Sequence, residues 1–170
     1  GADVTLVSSR TALPTPAGVR RTDVLSAAEM YDAATAAFDR ADGAVMCAAV
    51  ADYTPDAVSE TKIKKCGSEM CITLRRTRDI AAELGARKGR RLLVGFALET
   101  HDEQANAEAK LAKKNFDFIV LNSLRDAGAG FRGDTNKVTF IDRSGREELP
   151  LMPKSEVAER IADKIESLLK

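Results

Sequence analysis

Residues 43–51 read Gly-Ala-Val-Met-Cys-Ala-Ala-Val-Ala, and Asp52 and Tyr53 follow directly. Nine residues without a charge suit a parallel strand covered on both faces, because alternate side chains then point into two dry layers. The spacing on either side supports that assignment. Val4-Thr5-Leu6-Val7-Ser8-Ser9 reads as a buried strand over 4–9, followed by a loop holding Pro14, Pro16 and Gly18. Ser26 is placed as an N-cap with Glu29 three residues on, a capping box. The helix it opens runs to about Asp39, with Met30, Ala33, Ala34, Ala37 and Phe38 as its apolar stripe.

Beyond Asp52 the pattern continues in the same alternation. Residues 52–68 are a polar loop with Pro55, several lysines and Gly67, and 70–74 read as a short strand. Residues 78–86 read as a helix closed by Gly85, 91–97 as a buried strand, 101–114 as a charged helix and 117–122 as a strand. Gly128, Gly130 and Gly133 punctuate a loop. Residues 136–141 and 147–149 form a hairpin around Ser144-Gly145. A final amphipathic helix over 154–169 sets Val157, Ile161, Ile165 and Leu168 on one face. Such alternation with short connections predicts an α/β fold. Its sheet is doubly wound, mostly parallel and Rossmann-like, ending in a β-hairpin and a terminal helix. No linker divides the chain, so residues 1–170 are expected to form a single domain.

Composition narrows the function. The 170 residues are 44% hydrophobic and 31% charged, and the 26 basic side chains balance the 26 acidic ones. A broad basic surface of the kind that binds nucleic acid non-specifically is therefore not expected. No apolar run reaches the roughly 18 residues that span a bilayer. Cys47, Cys66 and Cys71 are odd in number and form no C-x-x-C pair, and His101 is the single histidine. Zinc sites, disulfide frameworks and histidine triads are thereby disfavoured. Reduced cysteines in a cytoplasmic protein are the plain expectation.

In open α/β sheets, ligands bind beyond the carboxyl ends of the strands. Asp52 stands there, as either a turn cap or a ligand contact. Lys62, Lys64 and Lys65 follow on the same loop. They are either a solvated surface or compact charge for phosphate oxygens. Gly95 inside a strand implies close approach of another group, and Phe96 beside it is either core or a stacking surface for a base. Glu99 and Thr100 close that segment, as caps or contacts. Lys110 and Lys114 share a helix face, where cations also complement the macrodipole. The loop from Gly128 to Lys137, with Phe131, Asp134 and Asn136, is either a mobile cover or a connector. No G-x-G-x-x-G, Walker A or G-x-S-x-G motif occurs. A nicotinamide-dependent reductase also loses support, because Tyr53 has Ala57 where a Tyr-x-x-x-Lys dyad needs lysine.

Four motifs in order carry a family resemblance: Ala48-Ala49-Val50-Ala51-Asp52-Tyr53, Lys62-Ile63-Lys64-Lys65, the 95–100 segment Gly-Phe-Ala-Leu-Glu-Thr, and Lys110 with Lys114. Together they resemble the phosphopantothenoylcysteine synthetase (phosphopantothenate–cysteine ligase) half of the bifunctional coenzyme A biosynthesis flavoprotein. The resemblance runs from Val4 through Leu13-Pro14-Thr15-Pro16 to the last helix. It implies CTP-dependent activation of 4′-phosphopantothenate as an acyl-cytidylate with release of pyrophosphate. Attack by L-cysteine then gives phosphopantothenoylcysteine and CMP. It also implies Mg²⁺ accompanying the nucleotide, a homodimer, and fusion to a flavin decarboxylase domain.

Carried over by motif, Met46, Cys47 and Ala48 would line the nucleotide and Asp52 would contact CTP. Lys62 would serve conversion of the acyl-cytidylate into product. Thr77, Arg78, Asp79 and Ile80 stand where the family has Asn-Pro-Asp-Ile, so backbone contacts are expected there. Phe96 would pack on cytosine, and Lys110 and Lys114 would hold the triphosphate. No metal ligand is assigned. The family opens with a strand, a glycine turn and helix, and an Asn-x-Ser-Ser-Gly segment that this sequence does not contain, so impaired ligase activity is expected of it. A non-catalytic nucleotide-binding module is the alternative from a different class.

Overall fold

The computed structural model describes residues 1–65, 67–99, 102–123 and 133–169. Cys66, Thr100, His101 and the loop containing Gly128, Gly130 and Phe131 lie outside the described residues. In chain order the elements begin β1 (Thr5–Ser9), β2 (Arg20–Val24), α1 (Ala27–Phe38), β3 (Gly43–Met46), β4 (Tyr53–Pro55) and β5 (Leu74–Arg76). They continue α2 (Ile80–Arg87), β6 (Leu92–Glu99), α3 (Glu103–Lys113), β7 (Phe118–Ser123), β8 (Thr135–Asn136) and β9 (Val138–Asp142). The last are β10 (Gly145–Glu148), β11 (Met152–Pro153) and α4 (Lys154–Leu169).

The chain forms two compact units, and each unit draws on two segments. One comprises Gly1–Thr35 and Ala48–Asp79, the other Ala36–Cys47 and Ile80–Lys170. A unit assembled from separated segments leaves no linker in the sequence, which is why composition gave no boundary.

The second unit holds a five-stranded sheet in the order β10-β9-β7-β6-β3. β3, β6 and β7 are parallel, with Val45 opposite Val94 and Phe96 opposite Val120. β9 joins β7 in antiparallel register, with Phe140 opposite Val120, and β10 returns beside β9. The parallel, doubly wound arrangement thus applies to three strands, and the sheet as a whole is mixed. One face carries Val94, Phe118, Val120, Val138 and Phe140, covered by Val157 and Ile161 of α4. Phe96 and Ile165 flank this cluster. Leu168, expected on the same stripe, is exposed at the end of α4. Against β6 pack α2 and α3, burying Leu84, Ala107 and Leu111.

Close packing accounts for two glycines, Gly85, which was expected to close its helix, and Gly95, which was expected to mark a close approach. Gly85 lies inside α2 and does not close it. A Cβ there would stand 2.0 Å from the carbonyl oxygen of Lys114, and Asn115 donates from Nδ2 to the Gly85 carbonyl at 3.0 Å. Gly95 is approached by the ring of Phe116, whose nearest carbon would be 2.6 Å from a Cβ. At the amino end of β6, Lys88 is only 8% exposed. Its Nζ donates to Asp117 Oδ1 at 2.7 Å, while Asp117 Oδ2 accepts the Leu93 N–H at 2.7 Å.

The first unit has two small sheets. β1 and β2 pair in parallel with Thr5 opposite Arg20, and β4 and β5 pair antiparallel with Tyr53 opposite Arg76. β2 escaped the sequence reading because Arg20-Arg21-Thr22-Asp23 has no apolar alternation. β1 is half-buried at its centre and not the fully buried strand expected. The short strand placed at 70–74 stands instead at β5. The capping box of α1 forms: Ser26 Oγ accepts the Glu29 N–H at 3.1 Å, and Glu29 Oε2 accepts the Leu25 N–H at 2.7 Å.

The run at 43–51 pairs as a strand only over β3. Its ladder partner is β6 alone, and Val45 is exposed. Apolar composition persists past Met46, but the chain there leaves the ladder and enters the first unit.

The hairpin of β9 and β10 turns at Arg143 and Ser144. Asp142 Oδ1 accepts from Ser144 N at 2.8 Å and Ser144 Oγ at 2.5 Å, and Lys164 Nζ of α4 donates to Asp142 Oδ2 at 2.7 Å. Partial burial opposes ionisation of Asp142. The bonds from Lys164 and Ser144, with the Lys164 charge, outweigh it and lower the carboxyl from its ordinary 3.8 to about 2. β9 is also paired with β7, so the hairpin extends the main sheet.

Two outcomes follow. Gly85→Ala, which in an open helix gains up to about 1 kcal/mol, should here destabilise by about 1–3 kcal/mol through overpacking against Lys114; a melting temperature unchanged or raised would refute the contact. Asp142→Asn should cost roughly 1 kcal/mol at pH 7. Because the folded carboxyl is more acidic than the unfolded one, that stabilisation is complete above about pH 4 and fades as pH falls through about 2. Melting curves of the two proteins should converge across that window and stay separated above it.

Candidate functional site

The candidate residues fall into both units, and each group has its own local geometry. In the second unit, β3 ends at Met46, which is half-buried, and Cys47 follows, exposed and reduced. Phe96 is half-buried on β6 and packs against the core cluster. Asn122, one residue before the end of β7, accepts at Oδ1 from Asn136 Nδ2 at 2.7 Å. Asn136 is buried and its own Oδ1 accepts the Lys137 N–H at 3.0 Å. This amide pair ties β8 to the carboxyl end of β7, a link the sequence hid because Asn136 read as part of a loop.

Lys110 and Lys114 occupy the last turn of α3. The backbone N–H of Lys114 caps the helix on the Lys110 carbonyl. The chain then enters β7 at its amino end, where Asp117 N donates to the Leu93 carbonyl at 2.8 Å. A crossover helix runs back against its strands, so these lysines stand toward the opposite end of the unit from the carboxyl ends of β3, β6 and β7. Both already make contacts of their own. Ile80 opens α2 with its side chain buried, which leaves only its backbone for a ligand.

In the first unit, Asp52 is exposed directly before β4. Ala48 and Lys62 are exposed too, as are Lys64 and Lys65. Thr77 grips the chain around Asp52: its Oγ1 donates to the Ala51 carbonyl at 2.7 Å, and its N–H donates to the Asp52 carbonyl at 2.9 Å. The Arg78 guanidinium lies 3.6 Å from the ring centre of Tyr31, and its Nη2 meets Asp32 Oδ1 at 2.7 Å. Asp79 is engaged as well. Thr77 and Arg78 were expected to offer backbone contacts; the structure adds side-chain roles to both. Tyr31 and Asp32 were missed, because neither belongs to the apolar stripe of α1.

Among the described residues no group of three or more His, Cys, Asp or Glu side chains is placed to hold a metal ion. A metal caged by protein side chains alone does not fit the described residues. Among the same residues, no helix is long and apolar enough to cross a membrane.

Residues 1–169 match the family described as the DNA/pantothenate metabolism flavoprotein C-terminal domain. The chain is 52% identical to a cysteine/cysteine sulfinic acid decarboxylase of an unknown prokaryotic organism, over 99% of this chain and 48% of that protein. It is 44% identical to the coenzyme A biosynthesis bifunctional protein CoaBC of Bacillus subtilis (strain 168), over 100% of this chain and 42% of that one. It thus spans about half the length of the curated relatives it matches. The crystal structure of the C-terminal domain of the coenzyme A biosynthesis bifunctional protein CoaBC is similar with a TM-score of 0.82 and 39% identity, over 99% of this chain and 76% of that chain. A Cab2 mutant in complex with phosphopantothenate-cysteine shares the fold at a TM-score of 0.71 and 13% identity, over 89% of this chain and 54% of that one. With nearly its whole length inside one family match, the chain belongs to the DNA/pantothenate metabolism flavoprotein C-terminal domain family.

Proposed function

We propose that this chain is the phosphopantothenate–cysteine ligase domain of a coenzyme A biosynthesis protein. The observation that carries the reading is the match of 99% of the chain to the solved C-terminal domain of CoaBC at 39% identity. The chemistry is an acyl transfer in two steps. The carboxylate of 4′-phosphopantothenate attacks the α-phosphorus of CTP, and pyrophosphate leaves. The amine of L-cysteine then attacks the acyl carbon, and CMP leaves with the electron pair of the broken acyl–oxygen bond.

Met46, Cys47, Ala48, Asp52, the 77–80 segment and Phe96 are the nucleotide contacts of this proposal. Asp52 supplies an acceptor for hydroxyl or amino groups, and the half-buried Phe96 supplies a ring for stacking on a base. Lys62 offers an unburied ammonium that can offset charge on the acyl oxyanion or the departing CMP. Lys110 and Lys114 enter more weakly, because their place at the end of α3 is also accounted for by the helix dipole. Magnesium belongs to this reading as a companion of the nucleotide phosphates, since the ion keeps much of its water and needs few protein ligands. A cytoplasmic homodimer, with a flavin decarboxylase domain in a longer chain, completes the proposal. The bifunctional name of the Bacillus relative, twice this length, supports that last element.

The experiment is a coupled pyrophosphate assay with CTP, 4′-phosphopantothenate and cysteine, run beside Lys62→Gln. Joined to its neighbouring domain, the wild-type chain should release pyrophosphate and form phosphopantothenoylcysteine. Lys62→Gln should still bind CTP but form product at least about 100-fold more slowly. CTP binding with no pyrophosphate release from the wild-type chain joined to its neighbouring domain would instead identify a nucleotide-binding module.

A further inference from the structure

We infer that Thr77 and Arg78 are positioning residues that set the Asp52 carboxylate toward the nucleotide, through a latch closed on Tyr31 and Asp32. The inference rests on the proposed role of Asp52 and adds the means by which that residue is held. Asp52 sits on a short exposed segment, where its direction has to come from its backbone. Both flanking carbonyls are held by one residue, since Thr77 donates its hydroxyl to Ala51 and its amide to Asp52, at 2.7 and 2.9 Å. A residue gripping two consecutive carbonyls holds the two peptide planes that meet at the Asp52 Cα, and with them the Cα–Cβ direction of Asp52.

Thr77 in turn needs an anchor, and Arg78 supplies it. The guanidinium stacks on Tyr31 at 3.6 Å and reaches Asp32 Oδ1 at 2.7 Å and the Ala28 carbonyl at 3.5 Å. Ala28, Tyr31 and Asp32 are three and four residues apart and share one face of α1. A planar, forked cation suits stacking and pairing at once, which lysine does not. The Arg78 and Asp32 side chains are 52% and 69% exposed, so this pair contributes little to global stability. A well-formed contact of small stabilising value, one residue from the grip on Asp52, fits positioning better than fold maintenance.

The test measures CTP affinity by calorimetry on the full chain, with melting temperature and amide exchange beside it. Asp52→Asn is the reference and should weaken CTP. Arg78→Ala, Tyr31→Ala and Thr77→Val should each weaken CTP by roughly 10-fold, with melting shifts below about 3 °C. Tyr31→Phe, which keeps the stack, should bind as the wild type does. The double variant Arg78→Ala with Asp52→Asn should bind no more weakly than Asp52→Asn alone, because both act at one place. The Thr77 amide should exchange faster in Arg78→Ala. Wild-type affinity in Arg78→Ala while Asp52→Asn is weakened would overturn the latch and leave the role of Asp52 standing, as would an unchanged Thr77 amide. Wild-type affinity in Asp52→Asn would overturn the role of Asp52 and the latch together.

Discussion

Parallel pairing of β3, β6 and β7 imposes the constraint from which the second unit follows. Parallel strands cannot be joined by a tight turn, so β6 must cross over through α3 to reach β7. That crossover brings the end of α3 down onto α2 so closely that Gly85 has no room for a methyl group. The turn that follows lays the Phe116 ring on Gly95 and delivers the Asp117 carboxylate to the Leu93 amide and the Lys88 ammonium. Two glycines, an aromatic ring and a nearly buried ion pair are therefore one consequence of a single chain reversal. On the other side, β9 closes the sheet in antiparallel sense, and Asp142 with Lys164 fastens its hairpin to α4.

The first unit is held by different means. Its strands are short, its side chains largely exposed, and its order comes from backbone pairing and polar grips such as Thr77 on Ala51 and Asp52. Exposed polar contacts are individually weak, and a segment built on them can be both accessible to a ligand and readily repositioned. Asp52 and Lys62 lie in this unit, whereas Met46, Cys47 and Phe96 belong to the second.

What the sequence made legible was the part governed by periodicity. The buried strands at 91–97 and 117–122, the box at Ser26 and Glu29, and the stripe of α4 all follow from spacing that water and the backbone enforce locally. What it hid depended on neighbours. Residues 43–51 look like one strand because composition cannot say where a ladder ends, and pairing stops at Met46. Gly85 looks like a helix stop, and only the Lys114 carbonyl explains it. β2 shows no apolar alternation because the covered position Arg21 is itself charged. The candidate site was legible mainly as a set of motifs. Arg78 was visible as a departure from the family pattern, but its stack on Tyr31 needed coordinates. The spacing of Lys110 and Lys114 was read correctly as a shared face, while the direction of α3, which turns them away from the strand ends, was not in that spacing.

The account turns on a nucleotide resting at the carboxyl end of β3, beside Cys47. Both Cys47 and Cys71 are exposed and reduced, so each should be alkylated in the folded chain, and peptide mass mapping separates them. The most direct measurement is the alkylation rate of each cysteine with and without CTP. The account predicts that CTP slows the reaction of Cys47 and leaves Cys71 unchanged. Equal reactivity of Cys47 with and without saturating CTP would contradict it.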